Sequence, residues 1–440
     1  MALRSHDNRS TVELAVVAKV VQVALGIRTL NGRSQIADSL LGADNSCGLA
    51  VGSSLNMGNQ VKLDAFDEIL NKYMETHPNV TFESQMYSQN DYIAQLPIRI
   101  ANGDTPDIMM GQPTQYSDII EAGKVMDLTG HELITALNLN EGDLNNCSYN
   151  GSVYALPLDF KTYGVIYNKA IFEKYGLTPP ATQDEFDALC QTLVDNGVDP
   201  FIRNYSNVTY PDIEVRGVLW PLLIENGHGD AFEKLMNGEA KFTDYPEFSK
   251  AFELWARRLA FSRVDDMGND TTMGRQLMAQ GAGAMMYEGT WAYAQIQEFN
   301  PDQEYGMFVL PRDDGKANSW CVQLDQIFMI SNESKHPEAV MEFMAYLLSP
   351  EIAGYWAAAT LNPSVVPGVE TEMPDVIMTA IKGKESGNIA HEGSLTTWLK
   401  GEYLTAWRQL TQTFAADRTL TVDAILEELQ TVFDEINAPK

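Results

Sequence analysis

The sequence predicts an α/β protein of two lobes, and three observations carry that expectation. At 440 residues and 45% hydrophobic content, the chain exceeds what one compact core fills, so its apolar residues should divide between two cores. From residue 61 onward, helical and strand periodicities alternate in the order a doubly wound sheet requires. The third observation is the run over residues 164–186, GVIYNKAIFEKYGLTPPATQDEF, which compresses a strand, a helix, a diproline joint and a second helix start.

Each element has a local cause. Residues 61–77 carry Leu63, Phe66, Ile69, Leu70 and Tyr73 at helical spacing, which predicts an amphipathic helix. Residues 79–84, NVTFES, alternate as a strand; 91–101 read as the next helix and 106–110 as the next strand. Within the 164–186 run, residues 165–167 alternate as a strand and Asn168 caps a helix over 170–175 that Gly176 stops. Pro179 and Pro180 hold the chain extended, and Thr182, three residues before Glu185, forms a capping box for a helix through Leu193. Helical patterns dominate 185–261, including 248–259, and His336 before Pro337 reads as a helix start. No low-complexity linker or internal repeat marks a boundary.

Composition narrows the function classes. Thirty Lys plus Arg against sixty Asp plus Glu give a formal charge of -30. That balance disfavours nucleic acid, anionic membranes and polyanionic ligands, because phosphate binding needs clustered positive charge. A neutral ligand is unaffected. The acidic residues are spread along the chain, as on a solvated surface. Cys47, Cys147, Cys190 and Cys321 form no metal-binding spacing and read as small buried hydrophobes, with a bridge between two of them left open. No metal or cofactor is expected, and no HExxH, P-loop, GxSxG or Ser/His/Asp order is legible.

Several segments agree in order with one family. Beside the 164–186 run stand NGDTPDIMM at 102–110, GKVMDLT at 123–129, NGSVYALPL at 150–158 and GAGAMMYEGTWAYA at 281–294. NESKHPEAVMEFMAYLLSP at 332–350 and TVDAILEEL at 421–429 complete the set. From about Lys62 to the C-terminus the chain resembles the family 1 extracellular solute-binding proteins, the sugar-capturing subunits of bacterial ABC importers. The resemblance implies a periplasmic-binding-protein-like fold, two lobes joined by a three-crossing hinge with a ligand cleft between them. Crossings are implied near 158–161, 322–327 and 356–367, giving one lobe of 51–158 plus 326–360 and another of 159–325 plus 361–440, with 1–50 unassigned. It further implies a non-enzymatic monomer that captures a neutral sugar, an oligosaccharide, for the membrane subunits of an ABC permease. Such a protein works outside the cytoplasm, as a surface lipoprotein or in the periplasm.

Site candidates follow from sugar chemistry. A sugar ring has an apolar C–H face and a hydroxyl rim, so its sites pair flat aromatic rings with carboxylates and amides. Trp291, after the Gly289 turn, matches the family position where a Trp stacks on sugar. Glu288 in the same loop is a hydroxyl acceptor or a surface carboxylate near a helix start. Asp159 and Tyr163 flank the first crossing, as ligand contacts or hinge packing. Trp320, Gln323 and Asp325 cluster at the second, with Trp320 a further stacking candidate. Gln112 and Gln115 follow the PDIMM strand at its carboxyl end, where open sheets bind ligands. Of Trp398, Tyr403 and Trp407, Trp398 is favoured for ligand; the spacing of Tyr403 and Trp407 puts both on one face, as easily core as cleft.

The N-terminus departs from the family pattern. Residues 11–27, TVELAVVAKVVQVALGI, are interrupted by Glu13 and Lys19, no small-residue box precedes Cys47, and no aromatic-rich first strand is legible before Met57. Residues before about Gly48 are therefore expected to be foreign to the scaffold, through a wrong start or shifted frame, with an atypical export signal as the alternative. Residues 11–27 fit a surface helix. The rival function class is a carbohydrate-active hydrolase using paired carboxylates.

Overall fold

A computed structural model of the protein describes residues 47–53, 60–86, 89–261, 264–391, 399 and 401–438. The expectations for residues 11–27 and for Trp398 lie outside them. In chain order the strands are β1 (Cys47–Ser53), β2 (Val80–Met86), β3 (Ile108–Met110), β4 (Ser148–Tyr149), β5 (Ser152–Val153), β6 (Ala155–Pro157) and β7 (Phe160–Asn168). There follow β8 (Asp199–Phe201), β9 (Gly283–Gly289), β10 (Tyr305–Phe308), β11 (Trp320–Leu324), β12 (Ile327–Ile330) and β13 (Ile389–His391).

Two main sheets result. The first has the order β2-β1-β3-β12-β6, with β1 parallel to both neighbours and β12 antiparallel to β3 and β6. The second has the order β13-β11-β7-β9-β8, and β10 pairs with the far half of β7. β7 outruns its predicted three residues because it pairs with β11 at its start, β10 at its end and β9 along its other edge.

The local signals hold. The first predicted helix is Gln60–Thr76, and its Phe66, Ile69, Leu70 and Tyr73 pack with Phe328, Phe343 and Trp356 in the core of the first sheet. Asn168 accepts a hydrogen bond from the Ile171 N–H, and the helix Lys169–Lys174 ends before Gly176 at φ +64°. Thr182 and Glu185 form the capping box of Gln183–Asp195, and His336 is the N-cap of Pro337–Leu347. Cys147, Cys190 and Cys321 are free and buried, in line with the reading of isolated cysteines as small hydrophobes.

One element has no signal in the sequence. A strand does precede Met57, though not an aromatic-rich one: β1, CGLAVGS, lies between β2 and β3, paired with Val80–Met86 along its whole length. Its Gly, Ala and Ser residues have weak strand propensity, so only the two parallel neighbours reveal it.

The chain passes between the sheets three times. Leu158 and Asp159 connect β6 to β7, and Asp325 and Gln326 connect β11 back to β12. The third passage runs from the helix Pro350–Thr360, whose Ala353 and Trp356 are in the first core, to the helix Asp375–Glu385 against β10 and β11. It lies along the first passage: the Phe160 N–H donates to the Pro363 carbonyl at 3.0 Å and the Val365 N–H to the Leu158 carbonyl at 3.1 Å. Short passages lying side by side are what a hinge between two bodies requires.

Candidate functional site

The carboxyl ends of β3 and β9 bring the predicted residues to the hinge. β9 ends at Gly289, and Thr290–Phe299 starts there as a helix, so Trp291 sits in its first turn. A Cβ at Gly289 would lie 1.8 Å from the Trp291 ring, so the glycine lets the indole lie flat on the strand end. Tyr163, which pairs with Gly289 across the strands, meets that indole edge to face at 5.1 Å. Its hydroxyl donates to Gln323 Oε1 at 3.3 Å, and burial raises the phenol to about 12, so it remains a neutral donor. Lys161 Nζ stands 5.6 Å over the same indole.

Below this corner lies an ion cluster that sequence reasoning did not find whole. Asp325 binds Lys62 Nζ at 2.7 Å and Lys161 Nζ at 2.6 Å. Burial pushes the Asp325 carboxyl up, but Lys161 and Lys62 outweigh it and hold it well below the usual carboxylate range. Burial likewise lowers the Lys62 ammonium, and Asp325 and Asp159 outweigh that and raise it. Asp159 is fully enclosed: it accepts from the Gln326 N–H at 2.7 Å, Trp356 Nε1 at 2.7 Å and Asn362 Nδ2 at 2.9 Å. Burial, then the Asp325 charge, raise its carboxyl against Lys62 and these donors. Asp159 thus ties all three passages together, which matches hinge packing. One signal for Lys62 was legible: it sits four residues before Phe66, on the apolar stripe of its helix, where a charge needs a buried partner.

Glu288 is buried rather than a surface carboxylate. Its Oε1 accepts from Arg275 Nη2 at 3.1 Å and Asn204 Nδ2 at 3.1 Å, while Oε2 accepts from the Gly289 N–H at 3.3 Å. Arg275 also donates to Gln295 Oε1 at 2.7 Å and the Tyr210 hydroxyl at 3.2 Å. One guanidinium therefore fixes three side chains around the start of the Trp291 helix. At the end of β3 in the first sheet, Gly111 (φ +145°) turns the chain into the 3-10 turn Pro113–Tyr116, leaving Gln112 buried and Gln115 half-buried.

Three candidates are not brought to this corner. Residues of one strand alternate between faces, so Trp320 lies with Val322 and Leu324, opposite Gln323 and Asp325. Its indole packs on Gly383 of Asp375–Glu385, where an added Cβ would meet it at 2.5 Å. Trp407 is fully buried among Phe232, Phe242, Phe248 and Phe252, with its indole N–H on Asp212 at 2.7 Å. Tyr403 packs on Phe433 and donates to Asn437 Oδ1 at 2.6 Å. The shared face of these last two is core.

Comparison with known proteins agrees with this architecture. Residues 58–354 match the bacterial extracellular solute-binding protein family. An uncharacterized ABC transporter extracellular-binding protein of Pyrococcus horikoshii is 26% identical over 295 residues, 65% of this chain and 66% of that protein. The melibiose/raffinose/stachyose-binding protein MelE of Bacillus subtilis is 22% identical over 324 residues, 72% of this chain and 74% of that protein. Among solved structures, RafE in complex with raffinose matches at TM-score 0.73 and 19% identity, over 89% of this chain and 100% of that one. A Bacillus subtilis binding protein in an open conformation matches at TM-score 0.73 and 20% identity, over 89% and 98%. The matched segment holds the first two hinge passages and strands of both sheets, and the chain belongs to the bacterial extracellular solute-binding protein family.

Proposed function

We propose that this protein captures a neutral sugar, an oligosaccharide, outside the cytoplasm and delivers it to the membrane subunits of an ABC permease. The observation that carries this is the Trp291–Tyr163 corner beside the hinge, where half-buried Trp291 meets a neutral hydroxyl and amide. Nearby charges are matched in place, Asp325 by Lys62 and Lys161 and Glu288 by Arg275, which suits an uncharged ligand. The relatives' names point the same way: MelE is named for melibiose, raffinose and stachyose, and one protein of Streptomyces coelicolor for diacetylchitobiose. In this reading residues 51–158 with 326–360 form one lobe and 159–325 with 361–440 the other. The protein acts as a monomer, in the periplasm or tethered as a lipoprotein.

A glycan panel read by thermal shift tests the proposal, since a ligand that binds only the folded state raises the midpoint. The matching oligosaccharide is also expected to lower the radius of gyration and to be recovered unaltered. Steady release of shorter sugars by pure protein would restore the hydrolase alternative, which family membership weighs against. Trp291→Ala should weaken binding by about 1–3 kcal/mol, the scale of a buried aromatic anchor, without lowering the melting temperature much. Unchanged affinity by calorimetry would remove the stacking role.

A further inference from the structure

Behind the hinge lies a second charge cluster, built around one buried carboxylate, that the binding corner does not use. Asp143, on the helix Glu141–Asn146, accepts from Lys384 Nζ at 2.5 Å, and its other oxygen stands 3.4 Å from His391 Nδ1. Asp143 is 1% exposed, and among the described residues neither that oxygen nor His391 Nδ1 has a hydrogen-bond partner. The two sides of the contact belong to different sheets. Leu144, Cys147 and Tyr149 on one side pack with Tyr92 and Met109, and the same apolar cluster continues through Phe160 and Val322 to Ile381 on the other. Lys384 is on the helix Asp375–Glu385, packed on β10 and β11, and His391 is in β13, the edge of the second sheet. The fit is close, since a Cβ on Gly142 would fall 2.0 Å from the His391 ring.

Strand alternation places this contact on the far side of the hinge from Trp291. Lys161 and Asp325 face the binding corner, whereas Phe160, one residue away, lies beneath Lys384 Nζ at 5.1 Å. A rotation about the passages that brings the ends of β3 and β9 together must draw the helix Glu141–Asn146 away from Asp375–Glu385. A 2.5 Å ion pair between buried Asp143 and half-buried Lys384 cannot lengthen without losing its bond.

We propose that Asp143, Lys384 and His391 form a latch behind the hinge that resists closure of the cleft and so sets ligand affinity. His391 makes the latch sensitive to protons. The charged groups facing it are Asp143 and Lys384; β11 brings Val322 beside it, and Trp220 donates its indole N–H to the His391 carbonyl at 2.8 Å. Burial lowers the imidazole in the latched state, Asp143 opposes that and Lys384 adds to it. Once released into water its value returns to about 6.5, so the released form takes up protons more readily. The contribution of His391 to the latch is therefore complete above about pH 6.5 and is lost as pH falls below it.

The ligand arm of the test rests on the sugar-binding reading, and the scattering arm does not. Asp143→Asn combined with Lys384→Gln removes both charges and leaves a hydrogen-bonding pair, so no lone charge stays buried. Ligand-free scattering should give a smaller radius of gyration for this double variant than for the native chain. Calorimetry with raffinose should give an affinity tighter by about fivefold or more, the usual lower range of coupling between sites. For the native chain the affinity should tighten between about pH 7.5 and about pH 5.5, and His391→Gln should flatten that dependence even if the double variant folds poorly. A smaller radius without raffinose binding would keep the latch and remove raffinose as the ligand. An unchanged radius together with unchanged, weaker or absent raffinose binding would overturn the latch.

Discussion

Replacing Asp325 by Ala is expected to destabilise the protein by about 3–5 kcal/mol, the cost of stranding a buried charge. The stranded group is Lys62, 3% exposed, for which Asp325 supplies the contact at 2.7 Å. Lys161 loses the same partner but is one-fifth exposed and can turn to water. Denaturant unfolding measures the effect, and a loss below about 1 kcal/mol, the range of an exposed ion pair, would show that Lys62 is not truly confined. The pH dependence has a definite sign. Asp325 titrates lower in the folded chain than its unfolded value of about 3.9, so its contribution is complete above that value and is lost as pH falls through the folded one. Lys62 titrates higher when folded, so its contribution is present below about pH 10.4 and is lost as pH rises through the folded value. Asp325→Asn should flatten the acid limb relative to the native chain.

Removing residues 1–53 is expected to abolish cooperative unfolding. β1 is the strand through which β2 joins β3, with Cys47–Ser53 paired to Val80–Met86 and Val51 and Gly52 paired to Ile108 and Met109. Without it β2 loses its neighbour in the sheet, β3 becomes an edge, and Val80, Phe82 and Ile108 lose their frame in the first core. Thermal melting followed by circular dichroism should show a broad, low transition. A sharp transition near that of the full chain would mean that the sheet stands without β1. Of the residues before about Gly48 that are expected to be foreign to the scaffold, only Cys47 lies among the described residues, and it opens β1.

What the residues alone determined is what neighbours in sequence can determine. A capping box needs Thr182 and Glu185 three apart, and an amphipathic helix needs Phe66, Ile69, Leu70 and Tyr73 at one spacing; both signals fall within a few turns of chain. Ordered agreement of such segments identified the scaffold, and with it the place of Trp291 and Tyr163 at the hinge. Lys62 and Asp325 are separated by 263 positions, and nothing local to either names the other. Trp320 is an aromatic beside a crossing in sequence, but pairing of β11 with β7 and β13 turns it onto Gly383 and away from Gln323. Trp407 has the spacing of a cleft residue and of a core residue alike, and four phenylalanines from other helices decided for core. β1 has almost no propensity of its own and exists because two parallel strands bind it on both edges. Local chemistry sets which elements form, whereas the face each presents, and the partner each buried charge finds, come from pairings that only the folded chain brings within a few ångströms.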